Sequence, residues 1–494
     1  MSKSLLDKAI EIISPRTAVK RAGYRKVLEL TERQFDAAAK GRRTKDWKSS
    51  GSSSNMEIHT ALQMLRNRSR AMVRNNPTAK NAIRLIPNNV VGTGILPTPK
   101  YTGVREKATN KTIKQVWNKW ADSITADYDG QLNFYGIQHL TMKAIAESGE
   151  CLVRRIYAGS DNYLPLEIQV LEGDFIDTYK HDNVWDSNSE RNYYGIRFNK
   201  KGKRIGYWIY TSHPVEYGQL ESVLIPAKDI IHMYEVERPG QIRGIPFSSA
   251  SMLRMKDLDD YEDAELVRQK IAACFTVFIT EDTDGDPTNA NTGDADNLEK
   301  VEPGIIEHLA PGKSVTFAQP PVTTGYGEYT KSVNRSIAAG IGITYEGMTG
   351  DLSNVNFSSG RMGWLEFQRN VNHWQWNILI PKFCQITWLW FLQAGGLKGL
   401  IPLDIDVPAT WTPPRREMID PVKETDAMSA AVRNGFNSWH NTVKELGFNP
   451  EEILEEIKAE TKLFKDAGLA PESNPVFDNP NTGKKVKPAD NEQT

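Results

Sequence analysis

Apolar residues at helical spacing open the patterned part of the chain. Ile58, Leu62, Leu65 and Met72 fall near one face of residues 56–75, with Arg66, Arg68, Arg70 and Arg74 spread around it. Asn75-Asn76-Pro77-Thr78 stops this helix and caps a second, predicted over about residues 79–86. Residues 90–94 turn toward a strand, and 136–148 read as another helix. Short β-rich runs then alternate with Gly, Asn and Asp at 151–157, 166–171, 194–198, 206–210, 223–226 and 230–233. The pattern predicts a mixed α+β domain closing near Ile245.

Beyond it the period changes. Residues 246–275 form a long helical run with Ser248-Ser249 as a cap, and Leu258, Tyr261, Glu265, Arg268 and Ala272 step along one side. Asp257, Asp259, Asp260, Glu262, Asp263 and Glu265 crowd this run, and their mutual repulsion works against the helix. Either something outside offsets the charge, or the charge is itself wanted. Residues 276–325 read as a compact insertion of short strands (276–280, around 304–309, 314–318) with a polar loop at 281–297. A second helix is predicted over 326–345, carrying Lys331 and Arg335 on one face. Residues 347–360 form a flexible loop punctuated by Gly347, Gly350 and Gly360. A long helix follows from 361 toward 392, with Trp364, Phe367, Val371, Trp374 and Ile378 as an apolar stripe and a kink expected at Pro381. Residues 413–468 are helical with turns at Gly435 and Gly447, and 471–494 have a disordered composition.

Charge and composition narrow the function. The 494 residues carry 61 Lys+Arg against 62 Asp+Glu, so a uniformly basic nucleic-acid coat is excluded. The first 80 residues are the exception, with 18 Lys/Arg against 7 Asp/Glu, and contain a Ser/Gly linker at 49–54. Cys151, Cys274 and Cys384 are far apart and match neither a disulfide scaffold nor a zinc ribbon. The apolar stretch at 378–400 is broken by Pro381, Lys382 and polar residues, and reads as a buried helix, with no membrane partner.

Candidate chemistry is thin. The eight histidines form no HxH or HExxH pair. Asp282, Asp284 and Asp286 brush against a calcium loop, but Pro287 and Gly293 stand where such a loop needs Gly and a bidentate Glu. Gly312-Lys313-Ser314 lacks the upstream glycine of a phosphate loop. No catalytic residue, metal site or cofactor is expected. A nucleic-acid-processing enzyme would need paired carboxylates at a metal; Glu172, Asp174 and Asp177 are the nearest cluster, with no basic or histidine partner apparent from the sequence. A capsid shell protein is the other alternative.

Three segments carry a family resemblance: residues 68–83 (Arg-Ser-Arg-Ala-Met-Val-Arg-Asn-Asn-Pro-Thr-Ala-Lys-Asn-Ala-Ile) with 89–95, residues 302–313 (Glu-Pro-Gly-Ile-Ile-Glu-His-Leu-Ala-Pro-Gly-Lys), and residues 345–361, Tyr-Glu-Gly-Met-Thr-Gly-Asp-Leu-Ser-Asn-Val-Asn-Phe-Ser-Ser-Gly-Arg. The chain resembles the lambda-type portal proteins of tailed bacteriophages. The resemblance implies an α+β portal-protein fold with wing, stem helices, clip and helical crown, assembling as a dodecameric homo-oligomer, a ring around a central channel. It implies a basic arm at 1–55, a wing at 56–245 and 361–412, stem helices at 246–275 and 326–346, a clip at 276–325, a tunnel loop at 347–360, a crown at 413–470 and a tail at 471–494. Double-stranded DNA would pass through the channel in packaging and ejection. The terminase large subunit, head-completion or connector proteins, and the major capsid or scaffold protein would be partners. The protein would sit at the capsid vertex of the virion, after assembly in the host cytoplasm. Within that frame the run 257–265 is expected to line the channel or to pair with Lys331 and Arg335. Ser353, Asn354, Asn356, Ser358 and Ser359 would offer neutral hydrogen bonds to phosphate.

Overall fold

The computed structural model describes residues 51–157, 159, 162–182, 189–216, 221–273, 277–281, 313–317, 325–402, 406–414, 418 and 420–469, with 16, 17, 19, 20 and 24 near the start. The arm assigned to 1–55 falls almost wholly outside these, as do the loop 281–297 beyond Glu281, the strand around 304–309, Cys274 and the tail 471–494. The chain divides into two units after Glu57, and the larger of them runs from Ile58 onward.

Helix α1 (Ser54–Asn75) and α2 (Pro77–Val90) meet at Asn76, whose side chain accepts from Ala79 N at 2.7 Å and caps α2. α2 runs through Pro87 to Val90, further than its pattern predicts, and buries Ile83, Ile86 and Val90. Strand β1 (Leu96–Pro99) follows, then α3 (Glu106–Ala121), which the apolar pattern left unassigned. Helix α4 (Phe134–Ser148) ends at Gly149, whose φ of 87° takes the left-handed turn that leads straight into β2 (Glu150–Ile156).

Two antiparallel sheets make the α+β body. β3 (Glu167–Glu172) and β8 (Ile230–Tyr234) flank β2, with Val153 opposite both Val170 and Ile231. A second sheet runs β4 (Arg191–Tyr193), β5 (Ile196–Phe198), β6 (Arg204–Tyr210) and β7 (Ser222–Pro226) in sequence order. The strands expected of this body are all present.

Helix α5 (Met252–Ala273) starts later than predicted, because residues 246–251 form turns in which Ser248 and Ser251 are buried. β9 (Val277–Glu281) and β10 (Lys313–Phe317) pair antiparallel and connect α5 to α6 (Tyr326–Ile341). α6 stops at Gly342, φ 85°, before a short helix α7 (Tyr345–Thr349). Helix α8 (Phe357–His373) begins ahead of the predicted 361. Asn356 accepts from Ser359 N at 2.8 Å and Ser359 Oγ accepts from Asn356 N at 3.1 Å, a reciprocal cap. The predicted loop 347–360 is therefore reduced to residues 350–356.

The expected kink at Pro381 takes another form. Residues Trp374–Cys384 wind as an eleven-residue π-helix between α8 and α9 (Gln385–Leu397). Wider winding shifts the hydrogen-bond register at the one residue that has no N–H to donate. Phe367, Val371, Trp374 and Ile378 are buried as their spacing predicts, and Trp364 is half-buried. The centre of the core is aromatic: Trp117 of α3 lies with its ring centroid 4.9–5.3 Å from those of Trp120, Phe134, Trp388 and Phe391. Cys151 and Cys384 are buried free thiols. Among the described residues no helix is long and apolar enough to cross a membrane. β11 (Ala409–Thr412) pairs with β1, and α10 (Pro421–Arg433), α11 (Trp439–Glu445) and α12 (Pro450–Asp466) are the last elements among the described residues.

Candidate functional site

The acidic helix α5 packs antiparallel on α6. Ser251 Oγ donates to Ile337 O at 3.1 Å, and Arg254 hydrogen-bonds Ser336 at the same end. Further along, Tyr261 stacks on Tyr326 (5.9 Å between centroids) and meets Tyr329 edge-on at 4.9 Å. The contact between the two helices is thus aromatic and backbone-directed. Lys331 and Arg335 turn the other way: Lys331 Nζ lies 3.7 Å from Asp351 Oδ2, and the Arg335 guanidinium sits over the Tyr345 ring at 5.4 Å. The expected pairing of these two cations with the run 257–265 is not formed within the chain.

The six carboxylates separate into different environments. Glu265 is buried and accepts from Arg268 at 2.8 Å and Gln269 at 3.1 Å. Asp259 accepts from Asn76 Nδ2 at 2.6 Å, tying α5 to the α1–α2 corner. Asp260 pairs with exposed Lys256. Burial raises the Glu262 carboxyl above its ordinary range, and its neighbours Asp259 and Asp263 raise it further. Asp257, Asp260 and Asp263, spaced at i, i+3 and i+6, share one exposed arc of the helix. α5 thus exposes these three carboxylates to solvent, with Lys256 among them, while its other side packs.

A buried ionic hub fixes the root of α5. Glu150, at the start of β2, is fully enclosed. It accepts from Arg66 Nη2 of α1 at 2.7 Å, from Arg243 Nε at 2.8 Å and from Gly244 N at 3.0 Å. His232 Nε2 of β8 lies 3.0 Å from its other oxygen. Burial pushes Glu150 up, but Arg243 and His232 outweigh it and hold the carboxyl well below its usual range. Burial pushes His232 down to about 4, against the pull of Glu150. Ser69 and Ser248 hydroxyls meet at 3.1 Å beside the hub. The backbones of Gly149 and Gly244 are in such close approach that a Cβ on Gly244 would stand 2.1 Å from Gly149 O.

The carboxylate cluster of the enzyme alternative behaves differently from its sequence picture. The structure supplies the partners that were not apparent. Arg66 and Arg70 hold Asp174 at 3.0 and 2.7 Å, Arg70 reaches Glu172 at 3.1 Å, and His213 lies 3.5 Å from Glu172. Asp177 is elsewhere, accepting from the Tyr210 and Ser222 hydroxyls at 2.8 and 2.6 Å. Glu172, Asp174 and His213 come close enough to share an ion, but the Arg70 guanidinium bridges both carboxylates. These residues form an ion-pair cluster that braces α1 on the sheet.

In the shortened loop, Asp351 accepts from the Ser353 hydroxyl at 2.5 Å, from Ser353 N at 3.0 Å and from the Tyr345 hydroxyl at 2.8 Å. Those bonds, the Ser353 hydroxyl foremost, hold its carboxyl far below the ordinary range. Of the residues predicted to meet phosphate, Ser353 is engaged in this turn and Asn356 and Ser359 in the α8 cap. Asn354 and Ser358 are exposed.

The chain matches the family model described as phage portal protein, lambda family, over residues 40–375. It is 27% identical over 460 residues to a probable portal protein of Halomonas phage phiHAP-1, covering 88% of each chain. It is 22% identical over 454 residues to the portal protein B of Escherichia phage lambda, covering 81% of this chain and 84% of that one. Among solved structures, a chain in the neck of an empty gene transfer agent (GTA) particle superposes with a TM-score of 0.46 at 14% identity, over 79% of this chain and 94% of the other.

Proposed function

Because the chain belongs to the lambda family of phage portal proteins, we propose that its copies close into a dodecameric ring whose bore carries double-stranded DNA past the acidic face of α5. The family is structural and not enzymatic, and the protein is the portal at the capsid vertex of a tailed phage. In this reading α5 and α6 are the stem, the β9–β10 hairpin belongs to the clip that meets terminase and head-completion proteins, and α10–α12 form the crown. Residues 350–356 are the tunnel loop, where exposed Asn354, with Ser358 of the first turn of α8 beside it, faces the duplex. Assembly takes place in the host cytoplasm, beside the major capsid or scaffold protein.

The observation that carries this reading is the exposed arc of Asp257, Asp260 and Asp263 on a helix whose opposite side is packed. DNA must slide through a portal without being held. Every Lys or Arg on a phosphate releases counterions and adds affinity, and a ring multiplies each such contact. A carboxylate wall repels the backbone and leaves the duplex free to move. Packing between α5 and α6 needs none of these charges; Asp257 and Asp263 are available for the wall, while Asp260 pairs with Lys256 on the same face.

Negative-stain electron microscopy of the purified protein tests the arrangement. Annular particles with a central hole are expected. A monomer under all conditions, including in the presence of the packaging machinery, would sink it. The charge argument has its own readout: Asp257→Lys with Asp260→Lys and Asp263→Lys should leave rings intact but shorten the DNA packaged per head. Full-length packaging by that variant would remove α5 from the wall.

A further inference from the structure

Charge holds α12 to the body. Lys100, immediately after β1, donates from Nζ to Glu451 Oε1 at 2.7 Å, and Lys114 of α3 pairs with Glu452. Asn449, which caps α12, donates to the Thr98 hydroxyl at 3.4 Å. Apolar packing is partial, with Ile453, Ile457 and Phe464 of α12 half-buried. Of α12 only Pro450 and Thr461 are buried, while Leu454 and Leu463 are exposed; α10 buries none of its residues and α11 only Val443. Lys107, Lys111 and Lys114 stand at i, i+4 and i+7 on α3, one stripe of the helix surface, and the first two are exposed. Burial lowers the Lys114 pKa, opposed by Glu451 and Glu455 of α12.

We propose that the lysine stripe of α3, with Lys100, is a binding site for the DNA phosphate backbone, and that Glu451 and Glu452 of α12 are a built-in competitor occupying it until duplex displaces them. The inference rests on the portal reading for the presence of DNA beside the crown. Its chemistry is direct exchange: carboxylates leave the ammonium groups, phosphodiesters take their place, and counterions are released from the duplex. Exposed lysine–carboxylate pairs contribute about 0–1 kcal/mol each, so a polyanion contacting several lysines at once outcompetes two of them. Displacement would free α12, and with it α11 and α10, from the body.

The full chain and a short duplex DNA of mixed sequence suffice as the test. Glu451→Gln with Glu452→Gln should tighten duplex binding about ten-fold at low salt by removing the competitor. Adding Lys107→Gln, Lys111→Gln and Lys114→Gln should abolish that gain and flatten the salt dependence by about three ions. Hydrogen exchange across residues 439–466 should speed up when duplex is added, or in about 1 M salt, where screening acts within ~3 Å. Lys100→Glu with Lys114→Glu should release α12, and combining them with Glu451→Lys and Glu452→Lys should restore its protection. Unchanged duplex affinity in the Gln pair, or full protection of α12 with duplex bound, overturns the competition. Failure of the charge swap to restore protection overturns the ionic hold. None of these readouts requires a ring, so absence of annular particles would count against the assembly alone.

Discussion

The hub at Glu150 and the contact at Glu451 use the same chemistry, a glutamate held by cations from distant parts of the chain. One is enclosed, with Arg66, Arg243, His232 and Gly244 satisfying both oxygens. The other is exposed on both sides. In the first case water cannot replace a lost partner; in the second it can, at once. Burial, and not the number of ion pairs, decides which joint is permanent: the root of α5 is fixed and the seat of α12 is exchangeable.

Three measurements would break or sharpen that contrast. The largest effect is expected from Glu150→Ala, which strands the Arg243 guanidinium in the interior and leaves Arg66 to Asp174. Breaking a buried pair costs about 3–5 kcal/mol, so denaturant unfolding should show a lower midpoint by that amount, and a wild-type midpoint would mean that the hub is wet. Next is acid titration. His232 titrates near 4 in the folded chain and near 6.5 unfolded, so the unfolded chain binds the extra proton between those values. The stability it contributes is complete above pH ~6.5 and lost as pH falls toward ~4, roughly 3 kcal/mol in all. Glu150, held below its ordinary range, extends the loss to still lower pH. His232→Asn should flatten the slope in this window; an unchanged slope would assign it to other groups. The smallest effect is expected from Glu451→Gln, less than about 1 kcal/mol in low salt and nothing measurable in high salt. A salt-independent loss there would erase the contrast.

Much of the fold was legible because local pattern and packing agree. The strands of both sheets, α4 and the Trp364–Ile378 stripe follow their periodicity. Helix α3 was not legible: its buried apolar residues Ile113, Val116, Trp117 and Trp120 begin only at its eighth position, and the residues before them read as polar loop. The limits of the loop before α8 were recoverable from Asn356 and Ser359, three residues apart at a helix start, but the glycines around them dominated the reading. The site was less legible than the fold. The acidic run is visible in sequence, yet which carboxylates face solvent depends on what α6 and Asn76 cover. Within the chain Lys331 and Arg335 are drawn to Asp351 and Tyr345, which lie in and just after α7, a proximity with no local signal in the sequence. Arg66, Glu150, His232 and Arg243 are spread along most of the body and share no local signal, and neither do Lys100, Lys114, Glu451 and Glu452.

The contact between Gly149 and Gly244 has a consequence for anyone altering this protein. In a residue-by-residue substitution library the two positions would look like unrelated intolerant columns, ninety-odd places apart. They are one constraint. A methyl on Gly149 would meet the Ile245 carbonyl carbon at 2.4 Å, and one on Gly244 would meet the Gly149 oxygen. Since neither glycine can shrink further, no second-site change at the other can make room. Suppressors of a substitution at either would have to come from the backbone path between β8 and α5.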